Sequence, residues 1–340
     1  MKASFSTLAL TAAVASAADF NTTDNDVFAP RVVGGYEAPV GQYTWTVGLR
    51  QTQTGRQGCG GSLISPTWVL TAGHCVSGGA PAPKYIAVGT HYLEGNSDGE
   101  IIAVKNVVKN PSFSDPLTGN DIALIQLARP SKFTPIKLSK KAVVAGDSVR
   151  LLGWGGVGGG SDNVGAQSPV LKQNDFTVLD NSECQSRIQA TRDPQLSNWI
   201  AGPTHLCAGG IVGQASCKGD SGGPLVRMNA DGSSSLVGDV SFGLPCAQGV
   251  PDVYGRIAQF AAFIDQTATG HQWDDAAPGP TTAPSRTTPT PPKTPTPPKT
   301  PSPPSGICDL YSNACYWPPN GQYYLVPEYD CVVQGGVWCP

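Results

Sequence analysis

The sequence predicts an all-β protein that is rich in loops. Short runs of alternating β-branched and apolar residues recur between turns of glycine, proline and asparagine, which is typical of an antiparallel barrel or sandwich. The clearest predicted strands are 44–49, 68–71, 101–108, 122–127 and 235–242. The 340 residues include 41 glycines and only 14% are charged, which suits such a fold. The spacing of Ile257, Phe260 and Ile264 predicts a C-terminal helix over 257–267.

The N-terminus has the layout of a secretory signal peptide. Met1 and Lys2 precede an apolar stretch at about 5–14, and small residues follow at 15–18. We therefore predict a signal peptide at 1–18 and a secreted, extracellular protein. The apolar stretch is too short to span a bilayer, so no membrane association is expected. Ten cysteines fit an oxidising destination.

Three separate segments carry residues for nucleophilic catalysis. Ser221 lies in KGDSGGP (218–224), between an acid and two glycines. A serine hydroxyl needs a base and an orienting acid, and His74 in TAGHC and Asp121 in NDIAL are the candidates. Alone, each segment has an ordinary explanation: a turn, a structural histidine, an aspartate at a strand edge. The chain order His, Asp, Ser is one of the known orders of a catalytic triad, so together they predict hydrolysis.

Residues 32 to about 270 resemble the chymotrypsin/trypsin-like serine proteases along their whole length. Further matching segments are RVVGG at 31–35, CGGSLI at 59–64, GWG at 153–155, SFG at 241–243 and PDVY at 251–254. The resemblance implies two six-stranded antiparallel β-barrels followed by a C-terminal helix, in a protease domain at 32–273. It also implies three disulfides, although six cysteines alone allow fifteen pairings: Cys59–Cys75, Cys184–Cys207 and Cys217–Cys246.

The resemblance implies a role for each residue of the site. Ser221 would attack the peptide carbonyl, His74 would transfer the proton and Asp121 would orient the imidazole. The amides of Gly219 and Ser221 would form the oxyanion hole. The substrate backbone would pair with the segment Ser241, Phe242 and Gly243.

These roles imply an endopeptidase that acts on proteins or peptides. No cofactor is expected, and we expect a monomer. A net charge of −3 gives no electrostatic footprint for nucleic acid. No metal is expected either, although the region 90–100 overlaps the trypsin calcium loop. Its acidic residues leave weak calcium binding open, but Thr90 replaces the first acidic ligand and a solvated loop is the preferred interpretation.

Arg31 and Val32 resemble the activation junction of the family. We predict a propeptide at 19–31 that is cleaved after Arg31. The freed Val32 ammonium would then pair with the acid beside the nucleophile, Asp220. Loss of one partner of such a buried ion pair costs roughly 3–5 kcal/mol, so formation of the oxyanion hole would depend on cleavage after Arg31. The precursor is therefore expected to be inactive.

The primary specificity pocket departs from the trypsin pattern. Ala215, followed by Ser216, stands six residues before Ser221, where trypsin has an aspartate. Asp252 replaces the usual glycine of the opposite wall, which is similar to some crab collagenolytic proteases of the family. Either Asp252 faces the pocket and pairs with an arginine or lysine, or it turns away, caps a loop and leaves an apolar pocket. We favour the first and predict a preference for basic residues.

The chain after Trp273 changes abruptly in composition. Residues 274–306 are rich in proline and threonine and predict an extended, semi-rigid linker. Residues 307–340 form a separate small module whose four cysteines allow three connectivities: Cys308, Cys315, Cys331 and Cys339. Its aromatic residues could stack on the sugar rings of cellulose or chitin, or could pack as a small core on two disulfides. The sequence leaves both interpretations open.

A second class of function competes with hydrolysis. Some oomycete members of the family are protease-like scaffolds that bind or inhibit another extracellular hydrolase. Those relatives lose triad residues, whereas this chain retains His74, Asp121 and Ser221. The sequence therefore favours the enzyme over the non-catalytic homologue.

Overall fold

The computed structural model describes residues 33–77, 81–156 and 165–274, together with the backbone of three short strands between 314 and 339. The predicted signal peptide, the activation junction with Arg31 and Val32, and almost all of the predicted linker lie outside the described residues. The chain divides into two compact units, 1–280 and 281–340. Among the described residues, none of the helices has the length and apolar character that a membrane span requires.

The first unit consists mainly of strands. In chain order they are β1 (Tyr36–Glu37), β2 (Thr46–Arg50), β3 (Cys59–Ser65), β4 (Trp68–Thr71), β5 (Tyr85–Val88), β6 (Glu100–Lys109), β7 (Ala123–Leu127), β8 (Lys137–Leu138), β9 (Ser148–Gly153), β10 (Lys172–Leu179), β11 (His205–Gly209), β12 (Pro224–Met228), β13 (Ser234–Phe242) and β14 (Pro251–Arg256). The helices are α1 (Asn181–Gln189) and α2 (Ala261–Thr267), with 3-10 turns at Gly73–Val76, Pro116–Thr118 and Ile257–Phe260.

Both halves of this unit are closed six-stranded antiparallel barrels. The first runs β2-β3-β4-β7-β6-β5 and returns to β2. In the second, β9 pairs with both β10 and β12, which closes the ring β9-β10-β11-β14-β13-β12. Closure removes the unpaired edges that would otherwise expose backbone hydrogen-bonding groups. The predicted all-β class with two barrels and a C-terminal helix is confirmed.

The apolar runs of the sequence fill these barrels. In β7, Leu124 and Ile125 are fully buried, and they face the equally buried Leu70 and Val69 of β4. Each such side chain contributes about 1.5–3 kcal/mol on burial. A second core lies within the other barrel around Leu151, Leu206, Leu225 and Tyr254.

The two helices differ in how well the sequence predicts them. The predicted helix at 257–267 is a 3-10 turn followed by α2, and Ile257, Phe260 and Ile264 are all buried as their spacing requires. Helix α1 is missed. It buries only Cys184 and Ile188, which is too few apolar positions to produce a periodic signal.

The second unit contains a three-stranded antiparallel sheet. Its strands are β15 (Ala314–Trp317), β16 (Gln322–Tyr324) and β17 (Val337–Cys339), in the order β16-β15-β17. Cys315 is the register partner of Tyr324 in β16 and of Trp338 in β17. The connectivity of its cysteines lies outside the described residues.

Candidate active site

Strand pairing brings His74 and Asp121 together. His74 lies in the 3-10 turn that follows β4, and Asp121 lies just before β7. These strands are antiparallel, with Thr71 at the end of β4 opposite Ala123 at the start of β7. Residues that are 47 positions apart along the chain therefore meet at one end of the first barrel.

Asp121 is buried and accepts three hydrogen bonds. The donors are the His74 amide at 2.8 Å, His74 Nδ1 at 2.8 Å and Ser241 Oγ at 2.6 Å. Donation by Nδ1 places the imidazole proton on that nitrogen, so Nε2 is free to accept one. The carboxylate therefore sets both the orientation and the tautomer of His74.

Ser221 lies where the second barrel meets the first. Its carbonyl accepts a hydrogen bond from the Gly60 amide of β3 at 2.8 Å. A side chain on Gly60 would come within 2.9 Å of Gly223 Cα, so this close approach of two backbones requires glycine. The contact fixes the serine loop against the strand that carries Cys59.

A disulfide joins the histidine segment to β3 and lies against the serine segment. Cys59 is bonded to Cys75, and Cys75 Sγ lies 3.8 Å from His74 Nε2 and 3.5 Å from the Ser221 carbonyl oxygen. Within the described residues, the Ser221 hydroxyl is not hydrogen-bonded to Nε2. Catalytic hydrogen bonds are often long without substrate, so the lack of this bond does not exclude His74 as the base for Ser221.

The loop before Ser221 presents two backbone donors. The amides of Asp220, Gly222 and Gly223 donate to carbonyls of the loop or of β13, whereas those of Gly219 and Ser221 donate to no other group in the described part of the chain. Gly219 has a φ of +103°, and a side chain there would overlap Gln167. Glycine is therefore required at 219, and the two unused amides could stabilise a developing oxyanion.

Asp220 is a buried acid held by two amides. Its carboxylate accepts from Gly155 at 2.7 Å and from Cys217 at 2.9 Å, and it is fully buried. Burial raises the pKa of Asp220 to about 6. Among the described residues, no cation forms an ion pair with Asp220. A positively charged group at this position would therefore stabilise the carboxylate.

The first described residue of the unit packs beside this acid. The Val33 carbonyl accepts from the Ala215 amide at 3.2 Å, and its side chain packs with Ala215, Cys217 and Cys246. Cys217 is one of the residues whose amide binds Asp220. The chain next to the predicted activation junction therefore lies against the loop that carries Asp220.

A cleft of about 400 Å³ opens beside Ser221. One segment, 216–218, and another, 240–246, form its walls, so the predicted residues Ser216, Ser241, Phe242 and Gly243 do line it. The disulfide Cys217–Cys246 joins the two segments. Together with Cys184–Cys207, the structure contains the three pairs that the resemblance implied.

Ala215 and Asp252 are buried and lie outside that lining. Asp252 Oδ2 accepts a hydrogen bond from the Ser216 amide at 2.5 Å. A side chain on Gly243 would approach Asp252 Oδ1 to 2.7 Å, so the carboxyl group lies between the two segments that form the cleft. Burial, aided by the negative charge of Asp220, raises the pKa of Asp252 to about 7.

Sequence reasoning missed a second buried acid near Asp121. Asp239 lies two residues before Ser241 in β13 and is fully buried. Neither carboxyl oxygen has a hydrogen-bond partner among the described residues, and burial with the nearby charge of Asp121 raises the pKa of Asp239 well above its usual value. The one signal in the sequence is an acid inside the apolar run LVGDVSF.

The region 90–100 is held by protein groups. Asp98 accepts from Thr90 Oγ1 at 2.6 Å and from the His91 amide at 2.5 Å. The guanidinium of the buried Arg50 donates to the carbonyl oxygens of Gly95 and Leu93 at 2.5 and 3.2 Å. The Arg50 guanidinium therefore lies where the carbonyl oxygens of this loop converge. That the loop binds no metal remains a prediction.

Two closed barrels with His74, Asp121 and Ser221 at their junction define a chymotrypsin-like scaffold. The family model described as Trypsin matches residues 32–264, and the chain belongs to the trypsin family. It is 38% identical over 254 residues to Glucanase inhibitor protein 3 of Phytophthora infestans, covering 73% of this chain and 92% of the relative.

Other relatives carry similar names. Glucanase inhibitor protein 2 of Phytophthora sojae is 35% identical over 288 residues, which cover 82% of this chain and 92% of the relative. Glucanase inhibitor protein 4 of Phytophthora infestans is 40% identical over 225 residues, with 65% and 82% covered. The scaffold of this family is thus shared with proteins named for inhibition of a glucanase.

Proposed function

We propose that this protein is a secreted serine endopeptidase that acts through Ser221, His74 and Asp121. The observation that carries the proposal is the Asp121–His74 pair, joined by two hydrogen bonds, together with Ser221, which lines the cleft and whose carbonyl contacts the Cys75 sulfur that also contacts His74. An orienting acid, a base with a free Nε2 and an accessible hydroxyl are the parts that acyl transfer needs.

The chemistry follows from these positions. His74 Nε2 accepts the Ser221 proton as the hydroxyl oxygen attacks the peptide carbonyl, and Asp121 stabilises the imidazolium that results. The amides of Gly219 and Ser221 bind the oxygen that becomes negative, and losing one such donor costs about 2.7–4 kcal/mol. His74 then returns the proton to the leaving amine, and water releases the acyl group by the same path.

Activation by cleavage after Arg31 is part of the proposal. Val33 packs with Cys217, whose amide binds Asp220, and this contact supports an approach of the freed N-terminus to that acid. The charge of the Val32 ammonium would keep Asp220 ionised against the burial that raises its pKa. The pair would hold the Gly219–Ser221 loop in the form that binds an oxyanion.

A second candidate function is binding to an extracellular glucanase without hydrolysis. The names of the relatives favour this candidate more strongly than the enzyme. The retained His74, Asp121 and Ser221 favour the enzyme, because a surface that only binds has no need of a fixed tautomer. Both candidates place the protein outside the cell with a protein as its partner.

Active-site labelling discriminates between the two candidates. The full chain beginning at Val32, the chain beginning at residue 19 and a Ser221→Ala chain beginning at Val32 are treated with a fluorophosphonate probe and assayed with peptide substrates. The proposal expects labelling and hydrolysis only in the first. In parallel, each chain is added to a β-1,3-glucanase. Inhibition by all three forms, without labelling of any, would establish the binding function instead.

The C-terminal module is proposed to tether the enzyme to a polysaccharide such as cellulose or chitin. The full chain and a chain ending at 273 are incubated with each polymer, and bound protein is measured. Retention of the full chain alone would support the tether. Equal loss of both chains into the supernatant would contradict it.

A further inference from the structure

The turn that leads to Asp121 is held by side chains from the second barrel. This Asp121 turn spans 116–120, between β6 and β7, and the side chains come from the segment 199–205, where α1 is connected to β11. We infer that Trp199, Thr204 and His205 are positioning residues, which hold the turn so that the Asp121 carboxylate meets His74. Their role in catalysis rests on the proposed endopeptidase function.

The Asp121 turn has an uncommon backbone conformation. Gly119 and Asn120 have φ angles of +83° and +58°. The left-handed region is uncommon for residues other than glycine, even for asparagine, and it persists where surrounding contacts hold it. Asp121 is the next residue, so these two dihedral angles fix the direction from which its carboxylate approaches His74.

Thr204 contacts both of these left-handed residues. Its Oγ1 accepts a hydrogen bond from the Asn120 amide at 3.3 Å, and a side chain on Gly119 would overlap the same oxygen. Thr204 is itself fixed to the second barrel, because its carbonyl oxygen accepts from the Arg256 amide of β14 at 2.8 Å. One hydroxyl on a firm support therefore holds the end of the turn that is next to Asp121.

Trp199 and His205 hold the other end of the turn. Trp199 Nε1 donates to the Leu117 carbonyl oxygen at 3.0 Å. His205 Nδ1 accepts from the Gly202 amide at 2.9 Å, which places the ring proton on Nε2, and Nε2 donates to the Pro116 carbonyl oxygen at 3.4 Å. Both side chains are buried, so water is excluded as a substitute donor.

The same segment packs on the wall of the cleft. The Trp199 ring meets Phe242 edge to face, with ring centroids 5.5 Å apart, and Phe242 lines the cleft beside Ser221. The neighbour of Phe242, Ser241, donates directly to Asp121. The second barrel therefore acts on Asp121 in two ways, directly through Ser241 and indirectly through the turn.

The test measures the tautomer of His74 directly. The full chain beginning at Val32 is labelled with nitrogen-15 in its four histidines. The shifts of the ring nitrogens are recorded through the carbon-bound ring protons at pH 8, above the ordinary histidine pKa of about 6.5. In the unaltered protein the Nδ1–H tautomer of His74 is expected to predominate, because Asp121 accepts from Nδ1.

Trp199→Phe removes the indole donor and keeps an aromatic ring beside Phe242. The ratio of the Nδ1–H to the Nε2–H tautomer of His74 is expected to fall about fivefold, the effect of one hydrogen bond of ordinary net strength. For a peptide substrate, kcat should fall about as much while KM stays within about twofold, since a misplaced base weakens only the transition state.

Trp68→Phe is the matched control for this variant. Trp68 is as buried as Trp199, but its Nε1 has no hydrogen-bond partner among the described residues. The control should therefore change neither the tautomer ratio nor kcat. An equal loss in both variants would mean that tryptophan packing, and not the donor to Leu117, is responsible.

A second pair of variants tests the hydroxyl of Thr204. Thr204→Val keeps the shape of the side chain but removes the acceptor for the Asn120 amide, so the tautomer ratio and kcat should fall as in Trp199→Phe. Thr204→Ser retains Oγ and should restore both. Equal values in the valine and serine variants would contradict a role of the hydroxyl.

The outcomes separate the positioning role from the proposed function. Absence of fluorophosphonate labelling would remove the endopeptidase, while the tautomer ratio would still show whether the segment 199–205 positions Asp121. Labelling together with a tautomer ratio that neither Trp199→Phe nor Thr204→Val alters would overturn the positioning role and leave the endopeptidase. A fall in kcat at an unchanged tautomer ratio would overturn it as well, since the loss would then come from the cleft wall.

Discussion

Asp121 and Asp239 are buried acids of the same region with opposite surroundings. Asp121 accepts three hydrogen bonds at the junction of the barrels, whereas neither oxygen of Asp239 has a partner among the described residues. Hydrogen bonds to a carboxylate favour its charged form, and burial without them favours the neutral form. Hydrogen-bond donors, and not burial alone, therefore make an acid suitable for stabilising an imidazolium.

The largest expected effect distinguishes the two acids directly. Asp121→Asn should lower kcat/KM by about 10⁴, because the amide can favour the wrong imidazole tautomer. Asp239→Asn should leave kcat/KM within about twofold, since burial favours the neutral form of Asp239 and asparagine is a neutral group of the same shape. Peptidase assays of both variants measure this. A large loss in Asp239→Asn with unchanged Tm would mean that Asp239 takes part in the chemistry.

A similar contrast concerns the cation Arg50. Arg50→Met should lower the free energy of unfolding by about 3 kcal/mol, because it leaves buried carbonyl oxygens and Gln57 without their donor. The exposed Arg129→Met, which breaks a surface pair with Glu100, should cost less than about 1 kcal/mol. Urea unfolding measures both.

Removal of calcium extends the same test. If Arg50 holds the loop at 90–100, EDTA should not change the Tm of the unaltered protein. A clear drop in Tm with EDTA, reversed by calcium, would show that a metal shares this role.

The pH dependence of stability sharpens the comparison of the two acids. A folded-state pKa above the unfolded value means that the unfolded chain releases its proton first, so stability is full below about pH 4 and falls as pH rises. The free energy of unfolding should therefore fall by up to about 1.4 kcal/mol per pH unit because of Asp239, and Asp239→Asn should abolish this fall. The difference between the two chains, measured from pH 4 to pH 9, isolates Asp239 from Asp220 and Asp252. Parallel curves would contradict the prediction.

The smallest expected effect concerns the third donor to Asp121. Ser241→Ala removes one hydrogen bond and leaves the two from His74. A hydrogen bond to a charged group contributes about 1.5–3 kcal/mol, and the two donors from His74 still hold the carboxylate, so kcat/KM should fall only about tenfold. A loss as large as that of Asp121→Asn would show that Ser241 alone sets the carboxylate position.

Much of the fold was predictable because strand periodicity is local. The strand predicted at 68–71 has the observed bounds, and the one predicted at 101–108 differs by one residue at each end. Helix α1 was not predictable, since two apolar residues in nine leave no periodic signal and its stability comes from contacts with β11 and β14.

Residue types and their order along the chain were enough to predict the family, the alternation that builds the barrels and the residues that could form a triad. Three other properties appear only in the folded chain: Asp121 receives three donors, Asp239 receives none from the described residues, and the Ser216 amide donates to Asp252 between the segments of the cleft. The reason is physical. Residue type and order are local properties, whereas burial, hydrogen-bond partners and neighbouring charge depend on segments that the chain brings together only when both barrels close.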